Sequence, residues 1–229
     1  MLYTSVGHAG ASAYIAIMSL LGISAVVIKP TALALNIVVA LFTSYSYIRA
    51  KQFDYKLVVP LIIGAIPLAY LGGRLNLPNL MYKPIVGFIL LYSAYKFIFI
   101  EKIRINETKI FNKLNPVLAG GIVGFLSGLT GTGGGIFLSP IILILGWTTL
   151  RKASGTVSLF ILFNSIFGFL GNINSANNLP NTLSLYIIFV LFGAFIGTRF
   201  GVKYLTHLGI KRALGFVLLI ASIKLIFSL

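Results

Sequence analysis

Asn115 to Trp147 reads NPVLAGGIVGFLSGLTGTGGGIFLSPIILILGW, and the fold turns on how that stretch is read. Two apolar runs flank a glycine cluster, Gly131-Thr132-Gly133-Gly134-Gly135. Glycine is a poor helix former and readily adopts positive φ, so the cluster breaks the helical path. As helix, Pro116–Thr130 would be about 22 Å long and Ile136–Trp147 about 18 Å, each short of a hydrocarbon core of about 30 Å. The stretch therefore predicts two part-length helices meeting at exposed backbone inside a membrane. Such a break persists where protein or a wet cavity satisfies the backbone, which in transporters is often the substrate site.

Composition supports this setting. The chain has 229 residues, 58% hydrophobic and 9% charged, with a mean hydropathy of +1.01. A soluble domain of that size could not bury so much apolar surface. The expected fold class is an all-α polytopic membrane protein, with room for about seven or eight crossings and no soluble domain. The N-terminus lacks a basic n-region, so no cleavable signal peptide is expected. Cysteine is absent, which excludes disulfides and thiolate chemistry. The net charge of +15 fits short basic loops that set topology and meet anionic lipid, and no nucleic-acid partner is expected.

Hydropathy predicts spans at Ala9–Ile28, Thr31–Ile48, Leu57–Leu75, Leu80–Ile100, the broken pair, Lys152–Leu170, Leu183–Tyr204 and Leu208–Phe227. GNINSANNLPN, at 171–181, reads as a loop. The sequence also repeats itself. GFILLYSAYKFIF at 87–99 matches GFVLLIASIKLIF at 215–227 at seven of thirteen positions. LAYLGGR at 68–74 matches GAFIGTR at 193–199, and GHAGA at 7–11 matches GTGGG at 131–135. The organisation is thus two repeats, 1–100 and 114–229, joined by a charged cytoplasmic loop at 101–113. The first repeat has only residues 1–6 before its glycine stretch. Assigning loops alternately puts 13 basic residues inside and three (Lys29, Arg74, Lys83) outside. That split requires the broken pair to enter and leave on one side, and it makes the two halves an inverted repeat.

Gly120, Gly124 and Gly128 have the spacing of close helix packing. Gly131, Gly133, Gly134 and Gly135 are too many for one packing contact. They free backbone N–H groups at the positive end of the following helix, which is physically an anion site, and Thr132 adds a hydroxyl. In the first half Gly7 and His8 take the corresponding place, with Ser12 one turn on. Polar residues inside spans complete the candidate set: Asn36, Thr156, Ser158 and Asn164. The alternative for each is a hydrogen bond to a neighbouring helix, but Asn36 and Asn164 are costlier in lipid than a hydroxyl and are expected to face a cavity. Arg74, Arg199, Lys96 and Lys224 read as snorkelling anchors. No Asp or Glu falls within a span, which argues against a carboxylate proton relay, a cation site and hydrolase chemistry. No catalytic residue, metal site or cofactor is expected.

GIVGFLSGLTGTGGGIFLSPIILILGW at 121–147, RKASGTVSLFILFNS at 151–165 and GAFIGTRFG at 193–201 resemble the second-half signature of the TauE/SafE family of sulfite-exporter-like membrane proteins. The resemblance covers nearly the whole chain. It implies transport of a sulfur-containing anion, such as sulfite or an organosulfonate. The first half departs from it: GHAGASAYIAIMSLLG stands where the family often has a second GxGGG and a proline. The combined expectation is a multi-pass cell-membrane transporter for a small anion, not an enzyme, working by alternating access at the glycine breaks. A passive anion channel using the same amides is the alternative. Its partners are the substrate anion and the lipid bilayer, and the sequence leaves a homo-oligomer open.

Overall fold

The computed structural model describes residues 1–5, 7–99 and 115–204, with isolated positions between 216 and 226. The charged loop at 101–113, most of the last expected span and Lys224 lie outside the described residues. The described part is helical, without strands: α1 (Leu2–Ser5), α2 (Ala11–Leu20), α3 (Ala25–Arg49), α4 (Tyr55–Arg74), α5 (Asn79–Phe99), α6 (Pro116–Thr130), α7 (Gly135–Ile144), α8 (Leu150–Gly171) and α9 (Leu183–Tyr204). Ile173–Asn178, in the expected loop, winds into a 3-10 turn. Among the described helices, α3, α4 and the Arg151–Gly171 part of α8 are long and apolar enough to cross a bilayer. This is an all-α membrane protein.

One expected span is corrected. Ala9–Ile28 is not continuous: α2 is 10 residues long and stops at Gly22, whose φ is +75°. Gly22 N–H donates to Ser19 O at 3.0 Å and Ile23 N–H to Met18 O at 3.0 Å, the paired bonds of a Schellman end. A single glycine in an apolar run carries too little signal to be read as a stop. Lys29 consequently lies in α3 rather than in a loop. It is 4% exposed, and its ammonium donates to Gly73 O at 2.8 Å and Leu75 O at 2.7 Å. A cation there satisfies carbonyls at the negative end of α4.

Helix directions follow from contacts at the ends. Asp54 N–H, in the α3–α4 turn, donates to Thr156 Oγ1 near the start of α8 at 3.1 Å. At the opposite end, a Cβ on Gly73 would overlap the Gly168 carbonyl and one on Gly171 the Tyr70 carbonyl. So α8 runs parallel to α4 and antiparallel to α3. Helix α6 runs parallel to α4 in close contact. A Cβ on Gly120 would overlap the Leu61 carbonyl, and one on Gly128 the Ala69 carbonyl. Small residues allow that approach and the dispersion contacts it brings. After the break, α7 returns, and Thr148 Oγ1 donates to Asp54 Oδ2 at 3.2 Å. Both arms of the α6–α7 hairpin therefore open toward the end of the bundle that carries Asp54.

Two hydrophobic clusters hold these pieces. Leu57, Leu61, Val123, Leu138, Val157 and Phe160 join α4, α6, α7 and α8. Ile15, Ile28, Tyr82, Val86 and Leu90 join α2, α3 and α5. The glycine breaks lie among these helices, and this packing positions the candidate site.

Candidate functional site

The break after α6 is built by three left-handed glycines: Gly131 (φ +82°), Gly133 (φ +74°) and Gly134 (φ +83°). An L side chain in that conformation costs about 1–2 kcal/mol, so glycine is required for the path. Gly131 N–H still donates to Ser127 O at 2.8 Å. Among the described hydrogen bonds, none uses the Thr132, Gly133 or Gly134 amide as donor. These are unpaired N–H groups beside the first turn of α7, where the helix dipole is positive.

Side chains from three helices converge there. A Cβ on Gly133 would overlap Asn36 Nδ2 of α3 and stand 3.2 Å from Ser165 Oγ of α8. One on Gly134 would stand 3.3 Å from Asn164 Nδ2 of α8. Asn164 Nδ2 also donates to Ser127 Oγ of α6. Asn36, Asn164 and Ser165 are fully buried. Both polar atoms of Asn36, Oδ1 of Asn164 and Oγ of Ser165 have no hydrogen-bond partner. An unpaired buried polar group costs about 1–3 kcal/mol, so four such atoms on three residues packed against the Gly133–Gly134 strip point to a ligand or water that completes them.

The break before α2 shares part of that backbone path, without a left-handed residue at Ala9 where the second break has Gly133, and has different surroundings. Gly7 (φ +80°), Gly10 (φ +103°) and Gly22 (φ +75°) are left-handed, and each stands 124 residues before its counterpart, Gly131, Gly134 or Gly146. Here the side chains are paired. Tyr14 OH donates to Ala9 O at 2.7 Å and Ser12 Oγ to Tyr3 OH at 2.9 Å. A Cβ on Gly7 would overlap the Ser154 carbonyl. His8 crosses to the other break, with Nε2 3.0 Å from Gly135 O and 3.0 Å from Ser139 Oγ. A carbonyl only accepts, so the imidazole donates from Nε2. The space between the breaks, lined by His8, Ser12, Thr132 and Gly135 among others, is about 10 Å³. That is room for one water at most.

The structure thus brings together His8, Ser12, Thr132 and Gly135 at the contact between the breaks. It brings Asn36, Asn164, Gly133 and Gly134 together beside it. Gly131 packs on the Lys29 backbone, 3.3 Å from the position of a Cβ, and Gly7 packs on α8. Thr132 Oγ1 lies 3.0 Å from Thr130 Oγ1. Thr156 and Ser158 are not with them. Thr156 accepts from Asp54 N–H, and Ser158 Oγ donates to Gly155 O at 2.9 Å. Along α8, Thr156 is about 12 Å from Asn164. Ser165 and Ser127 are members of the site that sequence reasoning passed over. The adjacency of Ser165 to Asn164 was the available signal, but a hydroxyl in an apolar helix more often bonds its own backbone.

Comparison with known proteins places this architecture. Residues 1–225 match the family described as Sulfite exporter TauE/SafE. "Probable membrane transporter protein y4hK" of Sinorhizobium fredii is 36% identical over 231 residues, covering 99% of this chain and 93% of that protein. "Probable membrane transporter protein YjnA" of Bacillus subtilis is 27% identical over 244 residues, covering 96% and 92%. No solved structure matches. The family consists of membrane transporters rather than enzymes, and this chain, matched along nearly its whole length, belongs to the TauE/SafE sulfite exporter family.

Proposed function

We propose that this membrane transporter carries a small anion, a sulfur oxyanion or organosulfonate, across the cell membrane by alternating access at the second glycine break. The observation that carries the reading is the set of unpartnered buried polar atoms on Asn36, Asn164 and Ser165 facing the free amides at 132–134. Five of these groups can donate, the three amides, Asn36 Nδ2 and the Ser165 hydroxyl, while Asn36 Oδ1 and Asn164 Oδ1 only accept. Asp54, the acid among the described residues, caps α4 instead, with its carboxylate accepting from Lys56 N–H. Donors without carboxylates make a site for negative charge. The sulfur chemistry rests on the family alone.

Alternating access goes with reading the two halves as an inverted repeat, and two observations support that reading. Left-handed glycines recur at a constant spacing, and α3 runs antiparallel to α8, its counterpart in the second half. The closed space between the breaks favours a carrier over a passive pore. For an anion larger than water to reach the amides, the two breaks must part, and the His8–Gly135 bond is the contact that would open.

The test is flux into proteoliposomes with a panel of sulfite, sulfate, thiosulfate, taurine and chloride. Saturable movement of at least one sulfur anion, at carrier rates, is expected. If none moves, the substrate reading fails. If flux does not saturate, the channel reading replaces it.

A further inference from the structure

Away from the glycine breaks, α3 and α9 diverge around an open crevice of about 680 Å³. Its lining includes Tyr45, Arg49, Phe195, Thr198 and Arg199. Two guanidinium groups share this space, and no described residue gives either of them an acidic partner. Asp54 is held elsewhere, at the cap of α4 and by Thr148. Thr198 is 2% exposed, lines the crevice, and its hydroxyl has no hydrogen-bond partner. Arg199 is held over the Phe195 ring, 5.9 Å from its centroid, and Phe195 lies 6.1 Å from Phe42. The aromatic floor fixes one fork while leaving its N–H groups free.

Below the two charges both helices turn apolar faces outward. On α9 the positions one, two and three turns back from Arg199 are Phe195, Phe192 and Ile188, exposed by 49%, 68% and 63%. On α3 the corresponding positions below Arg49 are Tyr45 and Leu41, exposed by 62% and 60%. The spacings, i−4, i−7 and i−11 on α9 and i−4 and i−8 on α3, align each set along one stripe. Paired cations at one level, aromatic rings beneath them and an aliphatic track deeper is the profile of a phospholipid: phosphate, interface and acyl chain.

We propose that the α3–α9 crevice binds an anionic phospholipid, its phosphate held by Arg49, Arg199 and the Thr198 hydroxyl and its chains lying along the exposed stripes. Arginine suits this role because its fork can hold two phosphate oxygens at once. The ligand is part of the bilayer, so the crevice is a lipid site separate from the transport site at the breaks.

The experiment uses the purified full-length chain, with phosphatidylglycerol and phosphatidylcholine of matched acyl chains as probes, and counts retained lipids by native mass spectrometry. Wild type should keep phosphatidylglycerol preferentially. The double variant Arg49→Gln/Arg199→Gln should lose roughly tenfold of that preference, and Arg49→Lys/Arg199→Lys an intermediate amount, because charge stays while the fork is lost. Should the glutamine pair fail to fold, the lysine pair and Thr198→Val carry the same comparison. No preference in wild type, or full preference in a folded glutamine pair, overturns the proposal. So does unchanged lipid retention combined with a raised KM for anion flux in zwitterionic vesicles, which would make the crevice a vestibule for the transported anion.

Discussion

At Gly7–Ala11 the polar groups are spoken for. Tyr14 bonds the Ala9 carbonyl, Ser12 bonds Tyr3, and His8 reaches across to Gly135. At Gly131–Gly135 the backbone follows nearly the same path, with left-handed glycines 124 residues further on. Yet Asn36, Asn164 and Ser165 stand around it with polar atoms unpartnered. Two similar backbone turns differ in their surroundings: side chains at the first are paired, while those at the second keep polar atoms unpartnered, which fits the proposed division into strut and binding site. A break in a membrane helix is therefore not a binding site by virtue of being a break. What its neighbours leave unsatisfied decides.

The comparison is broken most directly by putting one methyl group into each break. Gly133→Ala would force a Cβ onto Asn36 Nδ2 and should cut anion flux by roughly a hundredfold, the scale for losing preorganised backbone donors. Gly10→Ala, where a Cβ would meet Tyr14 OH at 3.0 Å, should cost about 1–2 kcal/mol of stability from the left-handed φ and leave KM near wild type. Flux and thermal unfolding measured on both variants decide the matter. Equal effects on flux would end the division of roles.

Next in size come the amides. Asn36→Leu removes two unpartnered atoms, so KM for the anion should rise about tenfold while stability holds or improves by about 1 kcal/mol. Asn164→Leu should raise KM as much, but it also breaks the bond to Ser127 Oγ and should cost about 1 kcal/mol of stability. A loss of stability with KM unchanged would show that these groups serve packing. His8→Phe inverts the pattern. It removes a bond that is made, to Gly135 O, and should lower the unfolding free energy by about 1 kcal/mol. It should also raise the turnover rate if the bond holds the breaks together, and a turnover equal to wild type would remove the latch from the mechanism. The smallest effect belongs to another left-handed helix end. Lys51 closes α3 at φ +55° without being glycine, and Lys51→Gly should stabilise the chain by about 0.5–1 kcal/mol in denaturant unfolding.

Much of this was legible before any coordinates. Both ends of Pro116–Thr130 and the start of the helix at Leu183 were bounded correctly because Asn-Pro, a glycine cluster and a polar loop mark them with residues whose backbone preferences are local. Lys29 was misread for the opposite reason. A lysine between two apolar runs reads as a loop, and only the approach of the α4 carbonyls makes a buried ammonium tenable. Thr156 and Asn164 looked alike as polar residues of one helix. Their separation along the axis, and the Asp54 turn that occupies Thr156, exist only once α8 is packed.

Sequence by itself determined that the chain lives in a membrane, that short stretches of its two halves resemble each other, and that its glycine clusters interrupt helices. Those properties depend on hydropathy, internal likeness and φ preference, each readable along the chain. Tertiary structure alone decided which break keeps unsatisfied donors, because satisfaction is a relation between atoms far apart in sequence. Asn36 lies 97 positions from Gly133 and meets it only because α3 and α8 close around the hairpin of α6 and α7.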